Sequence, residues 1–221
     1  MTEEAASNLI DVGNRIARSA TFGNRNSEDV TLIAVSKTRT IKEIQPLITA
    51  GQRHFGENRV QEAQEKWPAL IEFNKDIKLH LVGQLQSNKA EDAVEIAHFI
   101  HSVDRHSLVT ALARAMDKSG KRPKCFVQVN LAEEAHKGGC TVADLPGLLT
   151  EAREADLPVI GLMCVPPVDL EPAPWFALLG KLARDHDFPG LSMGMSGDFE
   201  SAVKIGATHV RVGTALFGAR T

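Results

Sequence analysis

A single (β/α)8 barrel is the α/β fold this sequence predicts, and three observations predict it. Short apolar or β-branched runs alternate with helix-period segments about eight times along the chain. No linker, low-complexity stretch or composition break divides the 221 residues, so residues 1–221 read as one domain, compact beside the roughly 250 residues typical of such barrels. The first clear strand ends in a lysine, and glycine-rich loops follow the seventh and eighth strands, the end of a barrel where chemistry is placed.

The elements follow in order. Leu9, Val12, Ile16 and Ala20 recur at helical spacing, so residues 1–23 read as an N-terminal helix packing on the barrel, closed by Gly23. Thr31 to Lys37 (TLIAVSK) is the first strand. Thr40 and Glu43 form a capping box for a helix carrying Ile41, Ile44 and Ile48, in which Pro46 is an expected kink. Residues 53–56 and Leu79 to Gly83 are the next strands, with Val60, Ala63 and Trp67 marking the helix between them. His98 to Val103, Cys125 to Asn130, Pro158 to Cys164 and Gly190 to Met193 continue the series, separated by helices with apolar faces such as Leu108-Leu112-Met116 and Leu145-Leu148-Ala152. Asp198 is the expected cap of a helix bearing Phe199, Ala202 and Val203. His209 to Val212 is the last strand, and Ala215 to Gly218 a single helical turn.

Composition removes several function classes. A net charge of −3 leaves no basic footprint for nucleic acid or a membrane surface. Cys125, Cys140 and Cys164 match neither a disulfide frame nor a CxxC zinc site, and free thiols point to a reducing, cytoplasmic setting. The acidic start has no signal-peptide h-region, and no run of 18 apolar residues spans a membrane.

Lys37 at the end of strand one has its stem against apolar walls, the setting of a Schiff-base lysine; the plainer alternative is a lysine that reaches solvent. The stretch Leu191 to Asp198 (LSMGMSGD) and the turn at Gly213-Thr214 lie in the two loops that commonly bind phosphate in such barrels. Ser192 and Ser196 offer hydroxyls there, and Gly194 and Gly197 permit close backbone approach. Arg211 stands two residues before Gly213, on the same side of its strand. An arginine inside a barrel needs an acceptor, which either a ligand or a barrel carboxylate could supply. An aldehyde-seeking amine, a phosphate cradle and an arginine together suit pyridoxal 5′-phosphate.

Seven ordered stretches sharpen this: AVSKT at Ala34 to Thr38, HFGENRVQE at His54 to Glu62, LVGQLQSNK at Leu81 to Lys89, VNLAEEAHKGGC at Val129 to Cys140, GLMCVPP at Gly161 to Pro167, LSMGMSGD at Leu191 to Asp198, and VRVGTALFGAR at Val210 to Arg220. With them the chain resembles the YggS/PROSC family of pyridoxal phosphate homeostasis proteins over nearly its whole length. The resemblance implies a barrel like the alanine racemase N-terminal domain (fold type III). It implies that Lys37 holds pyridoxal 5′-phosphate as a Schiff base, that Ser196, Gly213 and Thr214 contact the phosphate, and that Arg211 faces the pyridine nitrogen. Asn58, in the GEN motif, is expected near the cofactor. Arg59 and Cys164 are mild departures from the pattern, outside these contacts.

An arginine facing the ring nitrogen disfavours its protonation and weakens the ring as an electron sink. A two-base racemase needs a second acid or base, a tyrosine in the racemases this family resembles, and this chain has no tyrosine. The expected role is therefore holding and delivering pyridoxal phosphate, in vitamin B6 and amino-acid homeostasis, rather than strong catalysis. A weak racemase and a Schiff-base aldolase acting on a sugar phosphate remain the alternatives. The expected protein is a monomer, with pyridoxal-phosphate-dependent apoenzymes as recipients. Lys89 and Lys137, in loops on the same barrel face, could relay the cofactor or simply be solvated. Cys164 reads as a packed thiol rather than a reactive one, Glu57 could orient Asn58 or pair with an arginine, and His80 and His101 read as structural histidines without companions at ligand spacing.

Overall fold

Eight parallel strands close into a barrel in sequence order, β1 pairing with both β2 and β8 in a computed structural model that describes residues 2–218. The strands are β1 Thr31–Val35, β2 His54–Glu57, β3 Lys78–Leu81, β4 Phe99–Val103, β5 Lys124–Gln128, β6 Val159–Met163, β7 Gly190–Met195 and β8 His209–Val212. Around them lie α1 Thr2–Phe22, α2 Ile41–Thr49, α3 Val60–Phe73, α4 Ala90–Ile96, α5 His106–Ser119, α6 Leu145–Glu154, α7 Ala173–Asp185, α8 Phe199–Ile205 and the single turn α9 Thr214–Phe217. Met1 of the expected N-terminal helix and Ala219-Arg220 of the last motif lie outside the described residues.

The helices form where apolar residues recur at helical spacing. α3 buries Val60, Ala63, Trp67 and Leu70 on one face, and α5 buries Leu108, Leu112, Ala115 and Met116. These faces pack on the outward residues of the strands, among them Ala34, Phe55, Leu79, Ile100, Val127 and Val210. α2 begins at a capping box in which the Glu43 carboxylate accepts the Thr40 backbone N–H at 2.7 Å and its hydroxyl at 2.8 Å. It continues through Pro46 to Thr49. α1 packs against α2, α8 and α9; Arg15 donates to Glu200 at the start of α8, and Asn8 donates to the Leu216 carbonyl in α9.

Two departures from the sequence reading shape the upper rim. β3 stops at Leu81, leaving Val82-Gly83 in the following loop, where Gly83 lies against the Asn58 backbone so closely that a Cβ would stand 2.3 Å from the Asn58 carbonyl oxygen. β7 runs on to Met195, because a bulge between Ser192 and Met195 spaces three residues against two on β8. Gly194, at φ +92°, makes that bulge possible. Asp198 precedes α8 as expected, but its carboxylate turns back to accept the Met195 N–H rather than capping the helix.

Candidate functional site

Lys37, Asn58, Ser196, Arg211, Gly213 and Thr214, the residues singled out from sequence, all line one cleft of about 430 Å³ at the carboxyl ends of the strands. Val35, Val82 and Val165 supply apolar walls. A larger groove, about 910 Å³, lies at the opposite end of the barrel among Lys78, Phe99 and Lys124, away from all six.

Lys37 is half-buried two residues beyond β1, and the loop that carries it is tied to α3. The Lys66 ammonium donates to the carbonyls of Ser36 at 2.9 Å and Arg39 at 3.2 Å, either side of Lys37. Thr38, at φ +63°, donates its backbone N–H to the Glu62 carboxylate. Beneath the loop, Glu57 is fully buried and one carboxylate oxygen accepts from the Ser36 hydroxyl at 2.8 Å and the Trp67 indole at 3.1 Å, beside Lys66 at 2.6 Å. Its other oxygen has no hydrogen-bond partner among the described residues. Burial pushes the Glu57 carboxyl pKa up against the opposing pull of Lys66. Glu57 thus has a definite role, as the floor of the Lys37 loop, which its sequence context did not reveal.

The β7 bulge brings Ser196 against the β8–α9 turn. Its hydroxyl oxygen accepts the backbone N–H of Gly213 at 3.1 Å and of Ala215 at 3.4 Å, locking the two loops together. Thr214 is exposed in this turn, and a Cβ on Gly197 would meet nothing within 4 Å, so the loops present an open polar edge to the cleft. Arg39 borders the same edge, held by the Gly218 carbonyl at 2.6 Å and Glu43 at 3.0 Å.

Arg211 is 4% exposed. It donates to the Ser192 hydroxyl oxygen at 2.7 Å and to the Cys164 carbonyl at 2.9 Å, and no carboxylate forms an ion pair with it among the described residues. The barrel-carboxylate alternative for this arginine is therefore not what the fold contains. Burial lowers its pKa against the weaker opposing pull of Cys164 and Asp198, yet a guanidinium stays charged in a protein, so the cleft wall carries a positive charge with no directly paired carboxylate among the described residues.

The remaining candidates resolve differently. Lys89 pairs with Asp92 at 3.2 Å in a neighbouring groove that shares Asn58 with the main cleft. Lys137 pairs with Glu134 at 2.7 Å and donates to the Pro166 carbonyl. Cys164 is buried and its thiol is pushed up to about 12 by that burial. His80 and His101 are not isolated. They hydrogen-bond to one another at 2.9 Å, with His54 and Ser192 extending the chain. The signal lay in their positions, since His54, His80 and His101 occupy inward-facing sites on three consecutive strands.

With this geometry, the resemblance to known proteins is specific. The family model for the alanine racemase N-terminal domain matches residues 11–221. The pyridoxal phosphate homeostasis protein of Escherichia coli strain K12 is 37% identical over 229 residues, covering 98% of this chain and 97% of the relative. PipY of Synechococcus elongatus PCC7942, solved without PLP, superposes with a TM-score of 0.84 at 39% identity, covering 96% of this chain and 99% of that one. The same protein with PLP bound gives 0.79 at 41% identity, covering 92% and 100%. The chain belongs to the alanine racemase N-terminal domain family and, within it, to the pyridoxal phosphate homeostasis proteins.

Proposed function

We propose that this chain binds pyridoxal 5′-phosphate covalently through Lys37 and serves vitamin B6 and amino-acid homeostasis by holding the cofactor and handing it on. The observation that carries this reading is the meeting of Lys37, the Ser196–Gly213–Thr214 edge and the buried charge of Arg211 in one cleft. These residues fit the group: the open edge at Gly197 and Thr214 accommodates a phosphate, and Arg211 is a buried cation whose own contacts include no carboxylate. Pyridoxal 5′-phosphate, when bound, supplies a reactive aldehyde.

Lys37 would hold the cofactor covalently through its side-chain amine. Ser196 fixes the loops that receive the phosphate. Arg211 would face the ring nitrogen with its charge and disfavour a proton there. Lys66, Glu62 and Glu57 keep the Lys37 loop in place. Holding is favoured over racemisation because the chain has no tyrosine and burial keeps the Cys164 thiol protonated at neutral pH. The proposal includes residues 1–221 acting as one monomeric binding unit in the cytoplasm, with pyridoxal-phosphate-dependent apoenzymes as recipients. Among the described residues no helix is long and apolar enough to cross a membrane.

Titration with pyridoxal 5′-phosphate, followed by visible absorbance, tests this. A saturable band that is lost in Lys37→Ala is expected. A protein that develops no band at any concentration overturns the reading.

A further inference from the structure

The interior of a (β/α)8 barrel is ordinarily filled by layers of Val, Ile and Leu. Here a line of polar side chains crosses it. His54 Nδ1 lies 2.9 Å from His80 Nε2, His80 Nδ1 lies 2.9 Å from His101 Nε2, and His101 Nδ1 lies 2.8 Å from the Ser192 hydroxyl oxygen. Ser192 in turn accepts from Arg211 at 2.7 Å. His80, His101 and Ser192 are fully buried. His80 stacks on Phe99 with ring centroids 4.2 Å apart, and His101 on Phe126 at 4.5 Å.

The direction of every proton in this line follows from its upper end. A guanidinium only donates, so Ser192 accepts from Arg211. The other partner of the Ser192 hydroxyl among the described residues is His101 Nδ1. Its O–H therefore donates to His101, because a buried hydroxyl proton left without an acceptor costs about 1–3 kcal/mol. His101 then carries its proton on Nε2 and donates to His80 Nδ1. His80 likewise carries its proton on Nε2 and donates to His54 Nδ1. Burial holds His80 and His101 well below the ordinary 6.5, helped by crowding among the histidines, His209 included, and at His101 also by Arg211, which keeps both rings neutral at pH 7. The line cannot reverse to conduct protons, since Arg211 has no lone pair with which to accept one. It is a string of aligned neutral dipoles with the acceptor end turned to Arg211.

We propose that His101, backed by His80 and His54, is a positioning residue for Arg211: through Ser192 it supplies a neutral, one-directional acceptor that fixes the guanidinium without pairing it to a carboxylate and leaves its charge directed at the ring nitrogen of the ligand. A carboxylate in the same place would hold the arginine equally well but would cancel its charge. The aligned hydrogen bonds polarise one another and offset part of the cost of burying a cation. The ring-nitrogen clause rests on the pyridoxal phosphate reading of the cleft; the histidine column does not.

Two measurements test it. In nitrogen-15 NMR of histidine side chains in the full ligand-free chain at pH 7, His80 and His101 are expected as neutral Nε2–H tautomers, and Ser192→Ala should shift His101 toward a tautomer mixture. An imidazolium, or an Nδ1–H tautomer at His101 in the unsubstituted chain, overturns the column. In binding assays, His101→Phe is expected to weaken pyridoxal 5′-phosphate about tenfold, the size of one charged hydrogen bond. A 1-deaza analogue, which lacks the ring nitrogen, should be weakened far less, and His101→Asn, whose Oδ1 replaces the Nδ1 acceptor, should recover most of the loss. Equal losses for both ligands mean a merely structural role and overturn the proposal. Should His101→Phe not fold, Ser192→Ala takes its place in the same comparison. Failure of the unsubstituted chain to bind either ligand refutes the cofactor reading and the ring-nitrogen clause with it, while the NMR spectrum still judges the column.

Discussion

Lys66 Nζ stands 2.6 Å from Glu57 Oε1 beneath the loop that presents Lys37, and both side chains are almost wholly withdrawn from solvent. The pair joins α3 to the end of β2, and Lys66 also holds the carbonyls on either side of Lys37. Removing Lys66 would leave the Glu57 carboxylate buried and uncompensated, a loss on the order of 3 kcal/mol. Lys66→Met should therefore lower the urea midpoint strongly and weaken cofactor loading. Glu57 has a raised folded pKa, so its neutral form is favoured in the fold below that pKa and the preference is lost as pH rises through it. The Lys66→Met penalty should accordingly ease as pH falls. Glu57→Gln, which keeps acceptors for Ser36 and Trp67, should cost less than Lys66→Met.

Glu43 behaves in the opposite sense. The Thr40 backbone N–H and hydroxyl, helped by Arg39, hold its carboxyl down to about 2 from the ordinary 4.5. A depressed folded pKa contributes stability above the unfolded value and loses it as pH falls toward 2. Because the side chain is a third exposed, the contribution is about 1 kcal/mol at most. Urea midpoints of the unsubstituted chain and Glu43→Gln should differ most near pH 6 and converge toward pH 2.

Much of this arrangement was legible in the sequence, and the remainder was not for a definite reason. The barrel could be read because each strand is a short apolar run handing over to a helix with its own apolar face. Lys37 and the Gly213-Thr214 turn could be read because strand ends in such a barrel are local features of the chain. The histidine column could not, because His101 and Ser192 are 91 residues apart and meet only through closure of the barrel. Ser36 and Lys66, 30 residues apart, were hidden in the same way. β7 appeared shorter than it is because Gly194 looks like a turn residue, whereas the barrel uses it within a strand as a bulge.

That bulge gives a third prediction. Gly194 has φ +92°, and a Cβ there would lie 2.6 Å from the Ala202 Cβ and 2.9 Å from the Phe199 Cα. Gly194→Ala should cost about 2–3 kcal/mol through backbone strain and forced displacement of α8. Cofactor loading should weaken with it, since Ser196 is two residues away. Thermal unfolding and cofactor titration of the same variant check both effects.

The thiols give a fourth. Cys125, Cys140 and Cys164 are all buried, and burial pushes each up to about 12. A thiol reagent at pH 8 should find almost nothing to react with in the folded chain and all three groups after denaturation. Rapid reaction of Cys164 in the folded protein would show that it is exposed to the cleft and ionisable there.

Retention of the cofactor is expected to depend most on Lys37. Borohydride reduction of the chain loaded with pyridoxal 5′-phosphate, followed by peptide mapping of the modified lysine, tests that dependence directly. The label is expected on Lys37 alone; a label on Lys89 or Lys137 in place of Lys37 would contradict Lys37 as the anchor.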